Sequence, residues 1–370
     1  MNRLYFFANF GDWSKQPYGG GEVGNRRTLA LLRKYKFKII LIEKYKRVPN
    51  HSVPNMLLLL SRMVCNIVKY SLILTFGHRK GSLVHVVGFY GPMLYFEHLL
   101  VFVAYSLGYR VIYEMRGGGA DLYYENGSEK YRSTFSNLIN KTICVFSQGK
   151  ENFRLIHNVA PKKRIFYYPN YVLDAFIPNV YPQKPNDRIN FLYFGRVSKT
   201  KNVDLVIDIF EKVSQRYNDV FLYIVGNCPE PQYAESIRKK IADGGLSDRI
   251  TMRPACNHEE LKKILYDKHF YLFPTQEPHE GHSNALTEAM AWGVVPIATS
   301  QGFNKSVIGD KRLISSELSI DGFFSVIVNI IDNGLISDIS KAVYERVKDN
   351  YTAHVVSMEL EKEYEALFSM

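Results

Sequence analysis

The stretch PHEGHSNALTEAMAWG, residues 278–293, sets Glu280 and Glu288 eight positions apart, with the turn formers Gly281, Ser283 and Asn284 between them. Ser283 or Asn284 suits a helix N-cap, and Leu286, Ala289, Met290 and Gly293 follow at core-facing spacing, so Glu288 lies on a helix and off its apolar stripe. Glu280 falls in the preceding turn, beside the free amides of the helix start. Such a site offers one carboxylate for sugar hydroxyls, amide donors for an anionic or hydroxyl-rich ligand, and a second carboxylate, a turn deeper, for another diol. The plainer alternative is that Glu288 complements the helix dipole and Glu280 is a solvated turn residue.

The elements that position these groups read as strands alternating with helices. In the first half these are RLYFFANF, a helix from about Glu22 to Lys34, KIILIE, a helix over 56–76, SLVHVVGF, the YFEHLLVFVAYSLG helix, RVIYEM, a helix near 129–140, and TICVFS. A proline-marked stretch over 169–185 breaks the pattern. It then restarts with INFLYFG, NVDLVIDIFEKVSQRY, VFLYIVG, SIRKKIADG, RITM, HEELKKILYD, HFYLFP, the Ser283–Trp292 helix and VVPIAT, and a last helix lies near 354–368. This alternation predicts an α/β protein with two doubly wound, Rossmann-like units. Ligands of such sheets bind outside the carboxyl ends of the strands.

A chain of 370 residues with 46% hydrophobic and 22% charged content fits two ordinary cores and argues against disorder. Cys65, Cys144, Cys228 and Cys256 form no C-x-x-C pair, so reduced structural cysteines in a cytoplasmic protein are expected. The N-terminus reads as a first strand rather than a signal peptide. The most apolar segment, 56–76, carries Arg62, Asn66 and Lys69 on one helical face, so it is expected not to span a membrane. Its apolar side is expected to be a core face, with a membrane-interface surface as the alternative. The charge of +11 is uneven: residues 1–187 hold 26 Lys+Arg against 11 Asp+Glu, and 188–370 hold 21 against 25. Basic spots such as RKYKFK (33–38) and EKYKR (43–47) suit a phosphorylated substrate, anionic lipid or nucleic acid.

The string E-G-x-S-N-A-L-x-E-A-M-A-x-G-x-x-P resembles the E-x7-E motif of retaining GT-B glycosyltransferases of the family-4 type, with Glu280 and Glu288 as its acids. FLYFGRVSKTKNVDLVIDIF (191–210) is similar to that family's strand, Gly-Arg, four residues, Lys, helix segment, and places Arg196 and Lys201 at the matching positions. Both are then expected on the donor diphosphate, Arg as a fork of donors and Lys as a compact charge. Asn202 departs from the pattern, which usually has Gly there. VGNCPE (225–230) and RITMRPACNHEEL (249–261) resemble weaker landmarks, the second a loop whose backbone meets the nucleobase. GDWSKQPYGGGEVGNRR (11–27) is similar to the family's glycine loop, with Gly20 and Gly21 brought against the donor. VIYEMRGGGADLYYE (111–125) departs again, because Arg116 stands where many members have a His-containing loop. Arg116 is assigned to the crevice, with a structural salt bridge as the equal alternative.

The resemblance implies two Rossmann-like domains facing each other across a cleft: residues 1–175 for the acceptor, 176–351 for the donor, and a C-terminal helix, 352–370, packing back on the first. It implies a retaining transfer from a nucleoside-diphosphate sugar, with Glu280, Arg196, Lys201 and Arg116 at the reacting centre. Gly20, Gly21, Gly281, His282, Ser283, Asn284 and Glu288 join Arg196, Lys201 and Glu280 around the donor, with Glu288 on the ribose. No D-x-D occurs, so no metal is expected, and no cofactor beyond the donor substrate. A UDP-sugar is favoured over a GDP-sugar. The basic first half and its apolar helix suggest a saccharide acceptor on a polyprenyl diphosphate, an anionic membrane surface as partner rather than nucleic acid, and a peripheral place at the inner face of a bacterial membrane, in surface polysaccharide biosynthesis. Three rivals stand beside this: a glycoside hydrolase using two carboxylates, an NAD-dependent enzyme using Gly19, Gly21, Gly24 and Glu43, and a non-catalytic basic binder.

Overall fold

The computed structural model describes residues 2–15, 20–46, 48, 50 and 52–370. Two compact units result, one from Met1–Pro169 with Ser357–Met370 and the other from Asn170–Val356. The chain therefore changes unit inside the proline-marked stretch, a few residues before the expected 175/176 boundary, and returns at Ser357 rather than at 352.

In the first unit the order is β1 (Arg3–Ala8), α1 (Gly20–Leu32), β2 (Lys38–Glu43), α2 (Val53–Thr75), β3 (Ser82–Gly88), α3 (Leu94–Ser106), β4 (Arg110–Met115), α4 (Ala120–Glu125), α5 (Glu129–Asn140), β5 (Cys144–Ser147), α6 (Asn152–Val159) and β6 (Arg164–Tyr167). The strands run parallel in the order β2-β1-β3-β4-β5-β6. Every residue of β3 is buried, as expected of a central strand covered on both faces. Tyr70, Leu74, Leu94, Leu100, Phe135 and Leu138 from α2, α3 and α5 pack in one core against one face of the sheet.

In the second unit β7 (Ile189–Phe194), α7 (Val203–Arg216), β8 (Val220–Val225), α8 (Pro231–Asp243), β9 (Ile250–Arg253), α9 (His258–Leu265), β10 (Phe270–Phe273), α10 (Asn284–Met290) and β11 (Val295–Ala298) alternate, followed by α11 (Asn304–Ile308), α12 (Ile320–Asp332) and α13 (Ile336–Asn350). The sheet is parallel, ordered β11-β10-β7-β8-β9. The last helix, α14 (Ala353–Ser369), carries Tyr364 to His85, Phe37 and Phe146 of the first unit's core, and Arg110 donates to the Leu367 carbonyl at 2.8 Å. With 26 Lys+Arg against 13 Asp+Glu, the first unit carries +13, and the second, with 21 against 23, carries −2.

The structure corrects the reading of the 56–76 helix. Among the described residues α2 has the length and apolar content of a membrane span by composition alone, although Arg62 and Lys69 lie within it. Its apolar residues divide: Tyr70 and Leu74 are in the core with Met63, Ile67 and Ile73 packed against it, whereas Leu57, Leu60, Val64, Val68 and Leu72 are all exposed. The inner side also makes polar contacts: Asn66 is buried and donates to the Glu43 carbonyl at 2.9 Å, and Arg62 reaches the Lys46 carbonyl at 3.1 Å.

Candidate functional site

The second unit assembles its cluster from two strand ends. Five of the six residues of β7 are buried, and the chain leaves it at Gly195 with φ +137°. Val197 then donates to the Asn227 carbonyl at 3.0 Å, which draws the loop against the turn after β8. A Cβ on Gly226 would overlap the Gly195 carbonyl oxygen, so the V-G pair at the end of β8 is a packing requirement. Tyr193 donates to the Arg196 carbonyl at 2.7 Å, and the Arg196 side chain stays 57% exposed at the carboxyl edge of the sheet. Asn202 adopts the left-handed conformation, φ 52° and ψ 48°, which Asn tolerates better than most side chains. Its amide donates to the Pro274 carbonyl at 2.7 Å and accepts from the Gln276 amide at 3.2 Å. The departure from Gly thus preserves the turn and ties it to the segment after β10.

That segment supplies the acids. The Lys201 ammonium pairs with the Glu280 carboxylate, and both side chains are largely buried. Thr275 donates to the same Glu280 oxygen at 2.9 Å. Arg196 lies 3.4 Å from Glu277, which also accepts from the Thr200 hydroxyl at 2.8 Å, and the Gln276 amide donates to the Thr200 carbonyl at 2.8 Å. Gly302, at φ +57°, lies so close beneath Glu280 that a Cβ there would overlap the Glu280 carbonyl oxygen. Gln301 adds a bond to the Glu277 carbonyl at 3.0 Å. Each expected cation is therefore held by an acid.

Helix α10 begins at Asn284, with the Ser283 hydroxyl accepting from the Leu286 amide at 3.4 Å. Glu288 is buried beyond it, 3.6 Å from the His258 ring. Gly281 and Asn284 are half-buried at the turn. The His282 side chain does not face a ligand: its ring is buried, meets Tyr351 edge-on at 5.0 Å, and burial with the nearby Arg346 charge lowers its pKa to about 3. Its backbone serves the turn, the carbonyl accepting from Asn170 at 2.7 Å.

In the first unit the expectations fare differently. Arg116 is buried, at 4% exposure, and ion-paired with Glu114, two residues back on the same side of the strand. Its guanidinium also donates to Thr28 at 3.1 Å, while Glu114 takes the His85 ring at 2.9 Å. Burial raises the Glu114 carboxyl, and the Arg116 charge with the His85 hydrogen bond outweighs it, holding the pKa below the ordinary value. The salt-bridge alternative describes Arg116, and its crevice role is withdrawn. Gly20 and Gly21 open α1; a Cβ on Gly20 meets nothing within 4 Å, and one on Gly21 would press on the Phe89 ring. Gly19 lies outside the described residues, as does Arg47 of the basic spot at 43–47. The NAD reading fails on geometry, because 11 residues separate the end of β1 from the start of α1 whereas a dinucleotide turn needs its first glycine directly after the strand. Glu43 accepts the Trp13 indole N–H at 2.8 Å.

Sequence reasoning missed Glu277, Thr200, Thr275 and Gly302. Glu277 stands three residues before Glu280, and its partnership with Arg196 needs the register of two separate loops. Among the described residues no cluster of three His, Cys, Asp or Glu side chains is placed to hold a metal.

The arrangement of parallel sheets and alternating helices is that of GT-B glycosyltransferases, and residues 180–346 match the family described as Glycosyl transferases group 1. The chain is 26% identical over 234 residues to the phosphatidylinositol N-acetylglucosaminyltransferase gpi3 subunit of Schizosaccharomyces pombe, covering 62% of this chain and 50% of that protein. It is 32% identical over 107 residues to the GDP-mannose:cellobiosyl-diphosphopolyprenol alpha-mannosyltransferase of Xanthomonas oryzae pv. oryzae, covering 29% and 27%. The solved structure of Anabaena HepE in complex with UDP superposes with a TM-score of 0.70 at 12% identity, over 99% of this chain and 100% of that one. The chain spans about half the length, or less, of these two curated relatives.

Proposed function

We propose that this chain is a retaining, metal-independent glycosyltransferase that moves a sugar from a nucleoside diphosphate to a lipid-borne saccharide acceptor. The observation that carries the reading is the cluster of Arg196, Lys201, Thr275, Glu277 and Glu280 at the carboxyl ends of β7 and β10, next to the start of α10. Loss of a nucleoside diphosphate from an anomeric carbon builds negative charge on the leaving oxygens, which Arg196 and Lys201 offset as they exchange Glu277 and Glu280 for phosphate. Glu280, released from Lys201, orients the sugar hydroxyls, and Glu288 holds the ribose. The leaving phosphate accepts the proton of the attacking hydroxyl on the same face, so neither Glu need act as a nucleophile.

A UDP-sugar remains the favoured donor, supported by the UDP in HepE, and the GDP-mannose in the name of the Xanthomonas relative supports GDP as the alternative. That relative's diphosphopolyprenol and the phosphatidylinositol of the yeast relative support an acceptor carried on a lipid, and with it a peripheral place at the cytoplasmic face of a membrane. The experiment is to offer UDP- and GDP-sugars singly and follow slow release of free sugar by NMR. Release of the donor's own anomer from one of them supports the reading, and inversion or inertness toward all of them refutes it.

A further inference from the structure

Helix α2 is apolar on two sides, with Tyr70 and Leu74 in the core and a second set of residues turned outward. Val53, Leu57, Leu60, Val64, Val68 and Leu72 recur every three or four residues and form one outward stripe, every member of it exposed. Phe76 extends the stripe just past the helix end at 85% exposure. Tyr95, Leu99, Phe102 and Tyr105 make a second exposed stripe on α3, which packs beside α2 on the same face of the sheet. Isolated exposed hydrophobes are ordinary, but two exposed stripes on helices packed side by side are more apolar surface than scattered exposure explains.

The rim of the patch is basic. Lys46 precedes α2, and Arg79 and Lys80 follow it, all exposed. Lys130 lies 5.8 Å from the Tyr95 ring, and Lys141 lies 4.6 Å from Tyr105 and 5.6 Å from Phe102. Exposed aliphatic side chains, tyrosines and ammonium groups over their rings are the residue types of a bilayer interface. The +13 of this unit selects lipid with anionic headgroups.

We propose that the outward faces of α2 and α3 form a docking surface that lies in the plane of an anionic phospholipid bilayer without crossing it. Crossing is opposed by the inner side of α2: Tyr70 and Leu74 are fully buried, Tyr109 donates to the Leu74 carbonyl at 2.8 Å, and Asn66 is bonded to the end of β2. A helix leaving to span would strip all of these. Because α2 follows directly on β2, its first turns lie toward the carboxyl edge of the sheet, where ligands of this fold bind. Docking therefore brings lipid headgroups beside that edge; this consequence rests on the transferase reading, while the docking does not.

The test is co-sedimentation of the full chain with vesicles of phosphatidylcholine alone or mixed with phosphatidylglycerol, at low and high salt. It is run for wild type and for the triple variant Leu60→Gln, Val64→Gln, Val68→Gln, whose changes are on exposed positions and whose fold is checked by thermal melting. Wild type should bind the anionic vesicles at low salt and lose about tenfold or more at high salt; the variant should bind about tenfold more weakly. Release of free sugar from the donor in vesicle-free buffer should be equal in the two. No binding to anionic vesicles, or equal binding by the variant, overturns the proposal. So does resistance to alkaline carbonate extraction, which would mean a span. A dimer seen by light scattering that the variant dissolves, without vesicle binding, would assign the face to a second copy. Loss of donor turnover in both proteins would strike the transferase reading and leave the vesicle result standing.

Discussion

Replacing Lys201 by Met tests whether the cation and Glu280 act as one unit before any ligand arrives. The two side chains are only 13% and 9% exposed, so their pairing is closer to a buried ion pair than to a surface one. Met keeps the length and apolar stem of Lys but leaves the Glu280 carboxylate with the Thr275 hydroxyl as a side-chain donor. Breaking a buried pair from one side costs about 3–5 kcal/mol, and the retained Thr275 bond puts this case at the lower end. For a unit of this size each kcal/mol lowers the midpoint by roughly 2–4 °C, so the second unit's transition in scanning calorimetry should fall by about 6–12 °C. The double variant Lys201→Met, Glu280→Gln removes both charges and should recover at least half of that loss. A single variant within about 2 °C of wild type, or a double variant no more stable than the single, would refute the coupling.

Gly302→Ala forces a left-handed Ala against the Glu280 backbone. It should cost about 1–2 kcal/mol from conformation alone and lower turnover about tenfold or more by moving Glu280; a melting curve and a rate measurement check both. His282 is held neutral, with its folded pKa at about 3 against an ordinary 6.5. The native state binds fewer protons than the unfolded one between those values, so this contribution is complete above pH 6.5 and is lost as pH falls toward 3. His282→Phe should therefore flatten the decline of the second unit's midpoint between pH 7 and 4.5, and an unchanged slope would contradict the burial argument.

The alternation of elements was legible because strands of a parallel sheet write continuous apolar runs, as INFLYF does in the buried strand β7 and KIILIE does even at the sheet edge. Strand β6 escaped because RIFY is four residues long and lies half-exposed at the sheet edge. Of the residues expected around a donor, Glu280 was singled out by its turn before a helix and Arg196 and Lys201 by the family resemblance, and the structure brings them together. Their acid partners were not, because Glu277 meets Arg196 only through the pairing of two loops. Arg116 and His282 were misassigned for one reason. A polar residue in a glycine-rich turn looks available until burial is known, and both turn inward. Helix α2 shows the converse error, since its apolar side was expected in the core, whereas Leu57, Leu60, Val64, Val68 and Leu72 face out and Asn66 spends its amide on β2.

The central claim is that Arg196 and Lys201 grip a nucleoside diphosphate, and titration calorimetry measures this without knowledge of the sugar or the acceptor. Wild type should bind UDP or GDP, bind the corresponding nucleoside far more weakly, and ignore NAD. The variants Arg196→Ala and Lys201→Met should each weaken diphosphate binding by about tenfold or more, the size of a lost charge-assisted contact. Binding of no nucleoside diphosphate by wild type, or undiminished affinity in both variants, would contradict the account.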